Sequence, residues 1–241
     1  MSENKELDTV ATEQSVLGGI QSFWNQHSKK IIYAGSAVVL LLLGWIGYQK
    51  FIVEPNEQKA NETIFLAENL FDKMATSSFG KDSVSIALNG GSLDGANVVG
   101  LLKVINNYGS TKAANRARYM VGASYLQIKQ FDKAIQYLKE FDGAGADQVQ
   151  SKAYLMLGHA YAETKQTSEA LDYYKKAASV NAKDESVTPD ALFTAALYAA
   201  SIGQSKEAIE LFTQLKEKFA TYLSVTNGEV DKQLARLGQL N

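Results

Sequence analysis

The sequence contains no cysteine, only two prolines and only two histidines among its 241 residues. Without cysteine, the chain has no disulfide, no thiolate nucleophile, no thiolate metal ligand and no lipoprotein signal. Proline removes a backbone N–H group, so its scarcity is compatible with long helices. His159 has Glu163 four residues later, a pair that is more typical of a helix surface than of a metal site. We therefore expect neither a metal nor a cofactor.

Charge of either sign is not concentrated anywhere in the chain. The 24 basic and 26 acidic residues are interspersed and give a net charge of −2, whereas a nucleic-acid-binding domain needs a basic face. The glycine motifs that hold phosphates and the serine motif of hydrolases are also absent. The sequence therefore predicts a chain that is not an enzyme and that binds neither nucleic acid nor a small-molecule substrate.

One long apolar run is present, and it follows two lysines. Ile31–Tyr48 contains no charged residue, and a helix of that length rises about 27 Å, close to the thickness of a bilayer's hydrocarbon core. A cleavable signal has a shorter apolar core followed by a cleavage site. Trp24 and Tyr33 near one end, and Trp45 and Tyr48 near the other, are typical of an interfacial aromatic belt. Residues 31–53 are therefore predicted to be an uncleaved transmembrane anchor that also contacts membrane lipid.

The charges beside the anchor favour one orientation. Lys29 and Lys30 precede it, whereas only Lys50 follows directly, so the positive-inside rule places the N-terminus in the cytoplasm. For a bacterium, this predicts a single-pass inner-membrane protein with a periplasmic C-terminal domain. The cytoplasmic tail, residues 1–30, contains an amphipathic segment that either lies on the membrane or docks a partner. Its apolar side consists of Val16, Leu17, Ile20, Phe23, Trp24 and His27.

Small residues recur along one side of the predicted anchor. This side consists of Ala34, Ala37, Leu41, Gly44 and Tyr48. Small side chains let two membrane helices approach closely, where lipid supplies no hydrophobic drive for association. The side is therefore a candidate face for a transmembrane partner. The alternative is that small residues are simply common in membrane helices.

Internal repeats are the strongest signal after the anchor. "GASYLQIKQFDKAIQYLKEF" begins at Gly122, "GHAYAETKQTSEALDYYKKA" at Gly158, and "AALYAASIGQSKEAIELFTQL" at Ala196. Each unit has the pattern of a helix, a short polar turn and a second helix. Small residues permit close helix approach, aromatic residues fill the adjoining gaps, and stacking of units buries what one hairpin leaves exposed. The sequence therefore predicts an all-α solenoid.

The repeats resemble the tetratricopeptide family, with the best match in the second unit. There the order of small and aromatic residues is Tyr154, Leu157, Gly158, Tyr161, Ala170, Tyr174 and Ala177. The resemblance implies a solenoid of about three to four helical hairpins. The predicted parts are a degenerate first repeat over residues 56–112, three repeats over 113–222 and a C-terminal capping helix over 223–241.

The predicted degenerate repeat contains an insertion that does not follow the repeat pattern. Val84, Ile86 and Leu88 occupy alternate positions, which predicts an extended segment inside a loop over residues 76–95. Val98, Leu101, Leu102 and Ile105 are expected to define the next helix, which ends near Gly109.

The whole arrangement also resembles the YfgM-type ancillary subunits of the Sec translocon, in a form like those of Bacteroidota. The features that carry the resemblance are the short tail, "FWNQHSKKIIYAGSAVVLLLLGWIGYQKF", a helix and a small tetratricopeptide domain. It implies a membrane-anchored scaffold beside the SecYEG channel, paired with a membrane-anchored chaperone of the PpiD type, that assists newly secreted proteins. The alternative is a general periplasmic adaptor for envelope assembly or cell division.

The family register also implies a binding groove, because the first helix of each hairpin lines the concave surface. We expect Tyr119 and Phe193 to anchor a protein partner, since buried aromatic residues often carry interface energy. The alternative is that both rings belong to the core. The predicted groove residues are Arg116, Tyr119, Gln127, Lys152, Leu155, His159, Glu163, Asp190, Phe193 and Leu197.

Overall fold

The structure is a computed structural model that describes residues 3–239, and the side chains of residues 24–30 and 32–239. The chain divides into two compact units, Met1–Pro55 and Asn56–Asn241. The first unit contains helix α1 (Glu3–Tyr48), followed by a π-helical turn (Gln49–Val53). Among the described residues, one helical stretch is long and apolar enough to cross a membrane, and the side chains of its apolar window are unburied.

The residues of the predicted transmembrane partner face all lie on α1. Ala34, Ala37, Leu41, Gly44 and Tyr48 are exposed in the structure. In the preceding tail, the predicted apolar side falls mostly outside the described side chains, at Val16, Leu17, Ile20 and Phe23.

The second unit is almost entirely helical. Helix α2 begins at Glu54, directly after the π-helical turn, and continues into this unit. The remaining elements follow in chain order. They are α2 (Glu54–Thr76), α3 (Lys81–Asn89), β1 (Gly90–Leu93), β2 (Ala96–Val99), α4 (Leu101–Tyr108), α5 (Lys112–Gln127), α6 (Phe131–Lys139), α7 (Asp147–Glu163), α8 (Thr167–Ser179), α9 (Thr188–Ser201), α10 (Ser205–Lys218), α11 (Leu223–Thr226) and α12 (Glu229–Arg236).

Three helical hairpins form the body of this unit. The pairs are α5 with α6, α7 with α8, and α9 with α10, and they stack in chain order through contacts of α6 with α7 and of α8 with α9. Alanines fill the crowded positions between the helices, and Ala134, Ala170 and Ala208 are fully buried. The helix, turn and helix pattern predicted from the three repeats is confirmed.

Two glycines mark where the helices of a hairpin approach most closely. A Cβ atom added to Gly158 would lie 2.5 Å from the Tyr174 ring, and one added to Gly122 would collide with the Leu138 side chain. No real side chain tolerates such a contact without movement of its neighbours. The close approach predicted from these small residues is therefore present in the structure.

The three hairpin turns share the same backbone conformation and hydrogen bond. Lys129, Lys165 and Gly203 each have a positive φ, of 62°, 61° and 81°. In the second hairpin the Gln166 N–H donates to the Tyr161 carbonyl at 2.9 Å, and the first and third hairpins have the equivalent bond. This is the Schellman motif, in which a left-handed residue closes a helix and satisfies its last carbonyl groups. Two lysines thus occupy a conformation that favours glycine.

The insertion before the repeats differs from the sequence expectation. Val84, Ile86 and Leu88 lie on helix α3 and not on an extended segment, because Val84 and Leu88 pack on the same buried side of the helix. Val98 lies on strand β2 and not on the following helix. The two strands pair antiparallel, so the fold is not purely helical.

A sequence signal for this hairpin was present. Asp94 and Gly95 connect the strands, and both have a positive φ. An Asp-Gly pair is a typical two-residue turn between antiparallel strands. The signal was missed because each strand has only four residues.

The last helix packs against the third repeat. On α12, Val230 and Leu234 are buried, and Leu237 packs against the core just beyond the helix. The Lys216 ammonium of α10 also contacts the Asp231 carboxylate at 2.6 Å. The apolar side chains of this last helix are thus turned toward the stack.

Candidate protein-binding groove

The predicted groove residues all lie on the first helices of the hairpins. Arg116, Tyr119 and Gln127 lie on α5. Four more lie on α7, and Asp190, Phe193 and Leu197 lie on α9. The four on α7 are Lys152, Leu155, His159 and Glu163.

An open cavity of about 440 Å³ brings two of these residues together with helix α2. Arg116 and Tyr119 form one side of it. We call it the α2 cavity. Its lining consists of Phe65, Glu68, Asn69, Phe71, Asp72, Arg116, Tyr119, Met120, Phe141 and Val149.

Sequence reasoning missed the contribution of α2. Its buried side contains Ala60, Ile64 and Ala67, as the periodicity indicates, but Phe65 lies on a different side and is 58% exposed. Phe65, Asn69 and Asp72 are spaced so that they share one helix face. A phenylalanine on an otherwise polar face was the available signal.

Polar contacts hold α2 against the first repeat. The Glu57 carboxylate accepts hydrogen bonds from the backbone N–H groups of Lys112 and Ala113, at 2.8 and 3.2 Å. These groups lie in the first turn of α5, where helical N–H groups lack partners and favour a negative charge. Arg116 donates to Glu68 at 2.7 Å and to Asn61 at 2.9 Å. These contacts attach α2, which forms one wall of the cavity, to α5.

The bottom of the cavity is apolar. Phe71 and Met120 are 9% and 6% exposed. The Tyr119 ring lies 5.3 Å from the Phe141 ring, centroid to centroid, and burial raises the pKa of the Tyr119 hydroxyl. Tyr119 therefore remains a neutral, largely apolar side chain at any physiological pH.

The charged side chains at the mouth of the cavity differ in whether they form ion pairs. The Arg116 guanidinium is engaged by Glu68 and Asn61. Asp72 is exposed, and the ion pairs among described residues do not include it. The cavity therefore presents a net negative charge beside its apolar interior.

The predicted residues of the second repeat belong to a different environment. The Nδ1 atom of His159 and the hydroxyl of Tyr174 are hydrogen-bonded at 2.9 Å. Desolvation lowers the pKa of His159, although the Glu163 carboxylate opposes the effect. The Tyr174 ring in turn contacts Tyr198 at 5.1 Å between centroids. His159 is thus a neutral member of a row of aromatic side chains.

In the third repeat, Phe193 packs against its own hairpin. Its ring lies 6.0 Å from Phe212, which is fully buried, and 6.3 Å from Tyr222. The Tyr222 hydroxyl donates to Asp190 at 2.5 Å, and burial together with this bond raises the pKa of Tyr222 to about 12. Neither Phe193 nor Asp190 lines the α2 cavity.

The comparisons with known families concern the three stacked hairpins. Two family models, both described as tetratricopeptide repeat, match residues 116–142 and 151–184 in one case and residues 190–222 in the other. Each match falls on one hairpin. The three hairpins therefore resemble tetratricopeptide repeats. Helix α2 lies outside the matched residues, although it forms part of the cavity wall.

The chain is also similar to several solved structures. Kinesin light chain repeats from Podosopora anserina are 16% identical, with a TM-score of 0.52 over 76% of this chain and 86% of that one. A MamA structure is 19% identical, with a TM-score of 0.49 over 70% of this chain and 85% of that one. A search of curated proteins returns no match. At these identities, the kinesin light chain likeness shows a shared tetratricopeptide-like fold alone.

The tetratricopeptide repeats imply a scaffold for protein–protein interaction. Among the described residues, no group of three or more His, Asp or Glu side chains is placed to hold a metal ion.

Proposed function

We propose that this chain is a membrane-anchored scaffold that binds a protein partner in the α2 cavity and along the groove beside it. The observation that carries the proposal is the pairing of an apolar cavity with exposed apolar side chains at its mouth. Phe65 and Val149 are 58% and 37% exposed. Large exposed apolar side chains that cluster on a concave surface are typical of interaction sites.

The cellular setting is part of the proposal. The anchor is α1 from Ile31 onward, and the repeats lie in the periplasm of a bacterium, as the lysines before the span favour. The partners are the SecYEG translocon and a PpiD-type chaperone, and the service is assistance to newly secreted proteins. The support for these partners is the resemblance of the tail, span and repeats to the YfgM type.

Co-purification of the full chain from mild detergent tests the proposal. We expect Phe65→Ser to reduce partner recovery about fivefold, since loss of a large interface side chain costs at least about 1 kcal/mol. Leu223→Ser is the matched control, because Leu223 is also exposed, at 71%, and lies on α11 outside the cavity lining.

The identity of the recovered proteins decides the setting. Recovery of Sec components with a prolyl-isomerase-like chaperone supports the translocon role. Recovery of envelope-assembly or division proteins instead supports the alternative adaptor role. Equal recovery with both serine variants would contradict the cavity as the binding site.

A further inference from the structure

Part of the lining of the α2 cavity comes from α2 and not from the repeats. Phe65, Glu68, Asn69, Phe71 and Asp72 come from α2, which lies outside the residues matched as repeats. The shape and charge of the cavity therefore belong to the packing of α2 on α5. Its ligand preference can be read from those α2 side chains.

The size of the cavity limits what can enter. Pockets of roughly 300–1,000 Å³ hold a drug-sized molecule, and about 440 Å³ is available here. Since one helix with its side chains is about 10 Å wide, a whole helix would lie across the mouth and not inside. The interior is suited to one or two large apolar side chains that project from a partner.

The surfaces that such a side chain would meet are aromatic or aliphatic. Phe71 and Met120 form the buried part, and Tyr119 with Phe141 forms an aromatic pair. Phe65 stands exposed at the mouth. Insertion of an apolar side chain buries these surfaces. The burial stabilises the complex by about 25 cal/mol for each Å² of apolar surface removed from water.

The charge at the mouth of the cavity determines which charged group of the partner is favoured beside the inserted apolar side chain. Arg116 already has Glu68 and Asn61 as partners, so it attracts an additional anion weakly. Asp72 is exposed, and no described ion pair neutralises it. A cationic group beside the inserted side chain would therefore complement the site, whereas an anionic group would meet repulsion.

We propose that the α2 cavity recognises a protein segment that inserts one large apolar side chain and places a lysine or arginine within about one helical turn of it, opposite Asp72. This inference rests on the proposed function and names the chemistry of the partner at the same cavity. The occupant is a basic and apolar segment and not an acidic tail.

A random peptide array tests the preference directly. The probe is the full chain in lipid nanodiscs, applied to immobilised peptides about twelve residues long. We expect enrichment of peptides that have lysine or arginine within about four positions of a large apolar residue. With Asp72→Lys, binding of these peptides falls about fivefold, and peptides with aspartate or glutamate at the same spacing gain, as expected for one solvent-exposed charge pair.

A second variant controls for a general change in charge. Asp172 is also an exposed aspartate, but it lies on α8 and does not line the cavity. Asp172→Lys is expected to leave the enriched peptides unchanged. Any of three results would overturn the inference. They are an array without any enriched peptide, a peptide preference that Asp72→Lys does not alter, and an equal change with both variants. The effect of Phe65→Ser on partner recovery is a separate readout, so the proposed function can survive those results.

Discussion

At the scale of single residues, the positions with the least room lie between the two helices of each hairpin. Gly158 faces the Tyr174 ring, and an added Cβ would lie 2.5 Å from it. Gly158→Ala would gain about 1 kcal/mol of helix propensity but would overpack this contact, at a typical cost of 1–3 kcal/mol. We expect a net loss of about 1 kcal/mol in the free energy of unfolding, measured by urea denaturation.

Gly80→Ala is the control for that substitution. An added Cβ at Gly80 meets no atom within 4 Å, and its φ of −65° suits alanine. The change in stability is expected to stay within about 0.5 kcal/mol. Equal stability of both variants would show that the second hairpin relaxes freely around Gly158.

A second residue-scale prediction concerns the turn of the same hairpin. Lys165 has a φ of 61°, a conformation that costs an L-residue roughly 1 kcal/mol relative to glycine. Lys165→Gly is therefore expected to raise the melting temperature by a few degrees. Lys152→Gly removes the same charge from the exposed side of α7, and it is expected to lower the melting temperature because glycine weakens a helix interior.

Tyr119 and Phe193 were both expected to anchor a partner, and the structure assigns them different surroundings. Phe193 packs against Phe212 and Tyr222, so Phe193→Ala should leave a cavity and lower stability by about 2 kcal/mol. Tyr119 also packs against the core, but it lines the open α2 cavity, so Tyr119→Ala should reduce partner binding as well as stability. Thermal melting and co-purification of each single variant separate the two roles, and the opposite assignment of effects would show that the groove anchor is Phe193.

At the scale of elements, α2 illustrates how much of the site was open to prediction. Its core side was readable from Ala60, Ile64 and Ala67, because a helix repeats every 3.6 residues. Its cavity-lining face was not, because periodicity says which side is apolar and not which helix packs beside it. The Glu57 contact to the start of α5 spans more than fifty residues of sequence, and no local pattern reveals such a contact.

The other element with a testable face is α1. The predicted partner face contains Ala37 and Gly44, and a Cβ added at Gly44 meets no atom within 4 Å in the structure. Ala37→Leu with Gly44→Leu is expected to reduce recovery of a membrane partner, because close helix packing in lipid depends on small residues. Insertion should remain normal, as checked by extraction with carbonate. Val39→Ala with Ile46→Ala, on the opposite side of the helix, is the control, and equal recovery with both pairs would contradict a partner face.

At the scale of the whole molecule, the prediction to be tested is the membrane topology. Lys29 and Lys30 precede the candidate span, so the residues after about Phe51 are expected to be periplasmic. A reporter that is active only outside the cytoplasm should work when it is fused after Asn241. Activity of a cytoplasm-only reporter at the same position would contradict the proposed orientation.

The sequence by itself determined the features that depend on spacing along the chain. These are the apolar length of the candidate span, the three hairpins and their close glycine contacts, since each is set by a helix period or by the size of one residue. The tertiary structure decided the features that depend on distant neighbours. Val84 and Leu88 are helical because one side of α3 is buried, and Phe193 contacts the core because Phe212 and Tyr222 reach it. The α2 cavity exists because residues far apart in the chain meet there, and only folding brings them together.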